Sequence, residues 1–150
     1  MSLRLVVKPT AAFSADMTDG TIAYYAQNAA RFASDTVDVD MSALHDRFLA
    51  CVPAGGLILD AGCGSGRDSK AFLARGYGVH AFDASVEIAR IASAHIGQVV
   101  EVASFDGFSD ARSFDGIWAC ASLLHVAEHA LSAVLQKLWG SLKPGGALYM

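Results

Sequence analysis

The chain has 150 residues, 53% of them hydrophobic and 17% charged, with 11 lysines and arginines against 15 aspartates and glutamates for a formal net charge of −4. That length suits one domain able to bury a true core, since domains cluster near ~100–150 residues, and the apolar balance excludes intrinsic disorder. No stretch reaches the ~18–20 uninterrupted apolar residues of a spanning helix; Met1 to Thr10 lacks a signal peptide's apolar run, and basic residues scattered singly from Arg4 to Lys143 argue against a nucleic-acid partner.

Residues 1–17 leave two readings open, with Leu5-Val6-Val7 as a short strand or as loop. From Thr18 and Asp19, which can cap a helix, the apolar positions Ile22, Tyr25, Ala26, Ala29 and Phe32 follow helical spacing. A polar break over Asp35, Thr36, Asp38 and Asp40 precedes a second helical pattern (Leu44, Phe48, Leu49), which Pro53 and Gly55-Gly56 end. Beyond it, strands and helices alternate. Strands are expected at Leu57 to Leu59, Val79 to Phe82, Val99 to Ala103 and Phe114 to Ala119, with a fifth entered at Ala147 to Met150 after the turn Lys143-Pro144-Gly145-Gly146. Helices are expected at Arg67 to Arg75, Ser85 to His95 and Glu128 to Leu142. Such alternation predicts an α/β fold with a doubly wound parallel sheet, whose ligands bind outside the carboxyl ends of the strands.

The strongest local signal is Asp60-Ala61-Gly62-Cys63-Gly64-Ser65-Gly66, directly after the first of these strands and directly before a helix. Glycines at alternate positions let the backbone turn sharply and approach a ligand closely. Asp83, at the end of the next strand, is a carboxylate placed to accept hydrogen bonds from ribose hydroxyls. A dinucleotide fingerprint would require a third glycine at 67 or 69, where Arg67 and Ser69 stand, and Asp60 would repel a pyrophosphate while tolerating a cationic ligand.

These residues resemble the first motif of class I S-adenosylmethionine-dependent methyltransferases, an acidic residue followed by G-x-G-x-G. The resemblance runs from Leu57 to Met150. It takes in His80-Ala81-Phe82-Asp83-Ala84-Ser85, then Phe114-Asp115-Gly116-Ile117-Trp118-Ala119-Cys120-Ala121, then Leu142-Lys143-Pro144-Gly145-Gly146. The run from Gly64 to Ser69, with Gly76-Tyr77-Gly78-Val79, is similar to the small-molecule branch that includes tellurite-resistance and thiol methyltransferases. Tyr24 to Ala29 resembles the helix that closes over the cofactor in many such enzymes.

The resemblance implies a Rossmann-like sheet of strand order 3-2-1-4-5 and S-adenosyl-L-methionine as cofactor. It divides the chain into a helical N-terminal cap on the substrate side (1–54) and a cofactor-binding core (55–150), with strands six and seven of the family sheet absent and the fifth strand left as an exposed apolar edge. It places Asp60, Gly62, Cys63 and Gly64 at the methionine moiety, Asp83 at the ribose, Ala84, Phe105 and Asp106 at the adenine, and Ala119 and Cys120 beside the sulfonium, with Gly66 also among the cofactor-binding residues. Arg67 is placed either toward the cofactor's carboxylate or in solvent. Tyr24, Tyr25 and His125 fall on the substrate side, with Tyr25 on the packing stripe and Tyr24 at its flank.

His125 follows the fourth strand, where it serves as a general base or substrate orienter, or as a packed loop histidine. His125-Val126-Ala127-Glu128-His129 also matches the inverted zinc motif H-x-x-E-H, but the motif straddles a strand end and a helix start with few residues left for a third ligand, so no metal is expected. Cys51, Cys63 and Cys120 are odd in number and share no C-x-x-C spacing, which points to a reducing, cytoplasmic setting with Cys63 and Cys120 as small apolar filler. The expected activity is methyl transfer to a small-molecule acceptor, with no membrane partner. The alternatives are an NAD-type oxidoreductase and a catalytically silent S-adenosylmethionine-binding module.

Overall fold

Apolar side chains alternate across each strand, and this alternation decides which helix covers which face of the sheet. The structure, a computed structural model, describes residues 4–6 and 19–150; the Thr18 cap and the side chains of Ile22, Tyr25 and Ala26 lie outside the described residues. In chain order the elements are β1 (Arg4–Val6), α1 (Asp19–Thr36), α2 (Ser42–Leu49), β2 (Leu57–Ala61), α3 (Arg67–Ala74), β3 (Gly78–Asp83), α4 (Val86–Ile96), β4 (Glu101–Val102), β5 (Phe114–Trp118), α5 (Glu128–Gly140) and β6 (Leu142–Tyr149). Along β2, Leu59 and Ala61 join Phe114, Ile117 and Leu148 in a core closed by Val134 and Leu138 of α5. Ile58 instead joins Trp118, Ala147 and Tyr149 in a core closed by Phe48 and Leu49 of α2 and Phe72 of α3. The helix α2 is thus packed directly against the sheet.

Among the described residues the sheet has six strands in the order β1-β6-β5-β2-β3-β4, all paired parallel. Leaving β1 aside, this is the expected order 3-2-1-4-5. The expectation of an exposed edge at the fifth strand is corrected: Arg4, Leu5 and Val6 pair with Ala147, Leu148 and Tyr149, so β1 satisfies backbone groups of β6 that would otherwise invite another chain. The segment around Leu5 is accordingly a strand.

Three of the differences in element bounds have a clear local reason. The first helix runs past Asp35 to Thr36, whose hydroxyl donates back to Phe32 O at 2.8 Å and keeps the last turn closed. The strand expected over Val99 to Ala103 shrinks to two residues, because the Val100 amide donates to Ser93 Oγ at 2.9 Å instead of joining the ladder. The turn Lys143 to Gly146 lies inside β6, where the register jumps from Phe114↔Leu142 to Gly116↔Ala147 and Gly145 takes φ +82°.

One side chain ties the bottom of the sheet together. Asp115 of β5 accepts from the Leu57 amide at 2.8 Å and from Lys143 Nζ at 2.9 Å, so it fixes the start of β2 against both neighbours. Asp115→Ala is expected to lower stability by about 1–2 kcal/mol in urea unfolding, chiefly through the amide left without its acceptor.

Candidate functional site

Gly62, Gly64 and Gly66 adopt φ of +73°, +54° and +79°, so the turn leaving β2 requires residues without a Cβ penalty at all three positions. The Gly62 and Cys63 amides both donate to Phe82 O, at 3.0 and 2.9 Å, which anchors the loop to the end of β3. There the Asp83 carboxylate accepts from Gly64 N through Oδ2 and from Ser85 N through Oδ1, each at 3.0 Å. The carboxylate is half-buried, and each oxygen keeps a lone pair beyond these amides. Burial pushes its pKa up against the pull of the amide donors. Ser85 then caps α4 by accepting from the Ile88 amide.

Asp60 lies one residue before the end of β2, on the face that α3 covers. It is buried, and Ser69 Oγ donates to its Oδ2 at 2.6 Å. Desolvation and the neighbouring Asp68 carboxylate push its pKa up to about 8. Asp68 has the opposite fate. Its two oxygens accept from Arg67 Nε (2.8 Å) and a terminal Arg67 nitrogen (2.8 Å), from Trp118 Nε1 (2.9 Å), and from His45 Nε2 at 2.8 Å. Burial pushes this carboxyl up, but the His45, Arg67 and Trp118 contacts outweigh it and hold it at about 2. Against an ionised carboxylate, His45 Nε2 carries the proton. Arg67 also reaches Thr36 O of α1, so its guanidinium packs between α1 and α3 instead of standing in solvent.

The remaining expected residues fall on the segments that follow β3, β4 and β5 and on α1. Phe105 packs edge-on against Phe82 with centroids 5.3 Å apart, and Lys137 of α5 donates to the Asp106 carbonyl, which holds the 105–106 segment in place. The Asp106 side chain is exposed. Ala119 is buried and its amide donates to Tyr149 O at 2.9 Å; Cys120 is half-buried beside it. Cys63 is buried, and burial together with the Asp60 and Asp83 carboxylates pushes its thiol well above the usual range, as befits filler and not a nucleophile. Ala84 is half-buried at the start of the β3–α4 turn.

After β5, Ala121 takes φ +53°, the left-handed region that a residue with a Cβ seldom adopts, and turns the chain into Ser122. Ser122 Oγ donates to Ala61 O at 2.6 Å, stitching this turn to the glycine loop. His125 closes a single 3-10 turn over Leu123–His125; burial lowers its pKa while the Asp83 carboxylate raises it, leaving the ring neutral at neutral pH. Glu128 and His129 are exposed at the start of α5, apart from that turn. Tyr24 is 62% exposed on α1.

Sequence reasoning placed Ser122 in the segment after the fourth strand, facing the transferable methyl, but missed the network of His45, Trp118 and Tyr149. The Tyr149 ring stacks on Trp118 at 3.9 Å, and its buried hydroxyl has no hydrogen-bond partner among the described residues. A signal existed only for Trp118, an indole at the end of a core strand, because a buried N–H demands an acceptor.

The methyltransferase domain family matches residues 58–146, a span that holds the glycine loop, Asp83, β5 and His125. The ubiquinone biosynthesis O-methyltransferase of Xanthomonas axonopodis pv. citri is 30% identical over 105 residues, covering 65% of this chain and 43% of that relative. A TehB-like SAM-dependent methyltransferase from Corynebacterium glutamicum superposes with a TM-score of 0.68 at 24% identity, over 87% of this chain and 73% of that one. CalS10, an amino pentose methyltransferase from Micromonospora echinaspora solved with SAM bound, superposes with a TM-score of 0.64 at 20% identity, over 92% of this chain and 57% of that one. The two solved structures share the fold, and the chain spans less than half the length of the curated relative. With more than half of its residues inside the matched span, the chain belongs to the methyltransferase domain family.

Proposed function

We propose that this chain binds S-adenosyl-L-methionine at the carboxyl ends of β2, β3 and β5 and serves methyl transfer to a small-molecule acceptor. The observation that carries the reading is the junction of Asp83 and Gly64. The Gly64 amide orients a carboxylate whose spare lone pairs suit a pair of vicinal hydroxyls, one strand away from a loop that excludes side chains. Asp60 adds a second fit, since a buried carboxyl without a cation of its own suits a ligand that brings positive charge. The ring of Phe105 supplies an apolar surface for a purine, and the small residues Ala119 and Cys120 leave room at the end of β5.

When bound, the cofactor supplies a sulfonium-activated methyl group, a strong electrophile by itself. The protein's share is therefore to hold, orient and exclude water. Asp83 and the 62–66 backbone hold one side, and the Ala121–Ser122 turn fixes the wall beside β5. His125, neutral and facing the Asp83 carboxylate, is placed to take a proton from an alcohol or ammonium acceptor; a thiolate acceptor needs no such help. Tyr24 and Tyr25 of α1 stand on the acceptor side in this reading. The three cysteines are thiols, in keeping with a reducing, cytoplasmic setting. No helix among the described residues is long and apolar enough to cross a membrane.

Titration with S-adenosylhomocysteine tests the reading. Wild-type protein is expected to bind it, and Asp83→Ala to lose at least about tenfold in affinity, because both hydroxyl acceptors and the Gly64 anchor vanish together. Equal binding by the two proteins would remove Asp83 from the site, and NAD binding in place of S-adenosylhomocysteine would replace the reading altogether.

A further inference from the structure

The glycine loop is surrounded by carboxylates that are unequally neutralised. Asp68 is gripped by the Nε–Nη2 edge of the Arg67 guanidinium and by His45 and Trp118, so both of its oxygens are paired. Asp83 is met by two backbone amides and faces His125. Asp60, more deeply buried than either, receives one hydroxyl from Ser69. The charged and titratable groups around it are Asp68 and Arg67 at the start of α3, Asp83 at the end of β3 and the Cys63 thiol of the loop; the only cation in that set is already spent on Asp68. Trp118, its register partner on β5, brings no charge and turns its N–H to Asp68.

We propose that Asp60 is a charge-reading residue of the cofactor site: its buried carboxyl holds a proton while no positive charge occupies the loop, and releases that proton to solvent when a cationic ligand binds. The inference rests on the cofactor reading above and deepens it. The bookkeeping of charge is simple. The methyl donor carries a sulfonium, an ammonium and a carboxylate, net +1, whereas its demethylated product has lost the sulfonium charge and is neutral overall. Only the donor supplies the field that an ionised Asp60 needs, since an unpaired buried carboxylate is costly and a paired one is not. The carboxyl then regains a proton once the methyl has left, and the product loses the electrostatic part of its hold. One residue beneath the loop thus distinguishes donor from product by a proton.

A pKa near 8 in the free protein gives the expected pH course. Below that value, donor binding must displace a proton, so donor affinity rises with pH by up to about tenfold per unit and levels off above about pH 8, while product affinity stays nearly flat. Asp60→Asn, the nearest neutral copy of the protonated carboxyl, keeps the fold's shape and removes the exchangeable proton.

The experiment is calorimetric titration of the chain with S-adenosylmethionine and with S-adenosylhomocysteine near pH 7, each in phosphate and in Tris, whose different ionisation heats count the protons exchanged. Any proton exchanged by the ligands' own amino groups persists in Asp60→Asn and is subtracted. The expected result is release of close to one proton per donor bound, markedly fewer for the product, and loss of that difference in Asp60→Asn. As a second readout, the donor-to-product affinity ratio should climb between about pH 6 and 8 in the wild type and stay level in the variant. Equal proton release by both ligands, or the same release in the variant as in the wild type, overturns the inference while leaving the cofactor reading intact. Failure of both ligands to bind the wild type overturns the cofactor reading and the inference with it.

Discussion

Replacing Asp68 with alanine is expected to cost the fold about 3–5 kcal/mol, the range for breaking a buried ion pair by removing one partner. His45 is 4% exposed and Trp118 fully buried, so neither Nε2 of the one nor Nε1 of the other has water to turn to once the carboxylate is gone. Arg67, half-buried between α1 and α3, would lose its counter-charge in the same step. The network also spans elements far apart in sequence, α2, α3 and β5, and so the damage reaches the packing of Phe48, Phe72 and Trp118 as well. Asp68→Asn keeps an acceptor for one donor and should fall between the two.

The pH dependence of that loss has a definite sign. The folded carboxyl titrates at about 2, below its ordinary 3.8, so its stabilising contribution is complete above the ordinary value and is lost as pH falls through the folded one. The gap between wild type and Asp68→Ala should therefore shrink by roughly 2–3 kcal/mol as pH falls from about 4 toward 2. Urea unfolding at neutral and acid pH measures both. A variant within about 0.5 kcal/mol of wild type at neutral pH would show that the four contacts only offset the cost of burying the charge.

Gly62→Ala is the second large effect, and it acts on binding as well as stability. A Cβ at this position would stand 2.6 Å from the Ser122 Cβ and 3.2 Å from its Oγ, and φ there is +73°. Left-handed backbone costs a residue with a Cβ roughly 1–2 kcal/mol, and the clash adds to it. Ser122 cannot retreat without giving up its 2.6 Å hydrogen bond to Ala61 O, so the wall beside β5 moves with it. The expected total is about 2–4 kcal/mol of stability, with at least a tenfold loss of S-adenosylhomocysteine affinity.

Gly76→Ala is the control. Its φ is +83°, but a Cβ there meets nothing within 4 Å, so it should show the backbone cost alone and leave binding untouched. If the two variants bind equally well, the contact between the loop and the Ser122 turn does not shape the site.

Local pattern carried the sequence reading a long way. Glycines at 62, 64 and 66 after an apolar run and an acid at the end of the next strand are local facts, because strand, turn and helix start all fall within one short stretch of chain. Alternating β and α elements led to a parallel sheet with right-handed crossovers, while its strand order came from the family resemblance. What the pattern could not supply was pairing between distant residues. Arg67 and Asp68 are adjacent in the chain, yet only the fold brings His45 and Trp118 onto the same carboxylate.

The sequence by itself determined the α/β class and the succession of strands and helices from Leu57 onward, and it singled out the glycine loop and Asp83 as the proposed cofactor site. These depend on periodicity, turn residues and spacing, which act over a few residues. Tertiary structure alone decided that β1 closes the edge of β6, that Asp60 stays without a cation while Asp68 takes the only one at hand, and that Ser122 and Ala121 fix the wall facing Gly62. The first and the last of these join residues tens of positions apart, and burial and charge are properties of the packed neighbourhood, not of the residue type. Two aspartates on one side of a sheet therefore hold their protons at opposite ends of the scale.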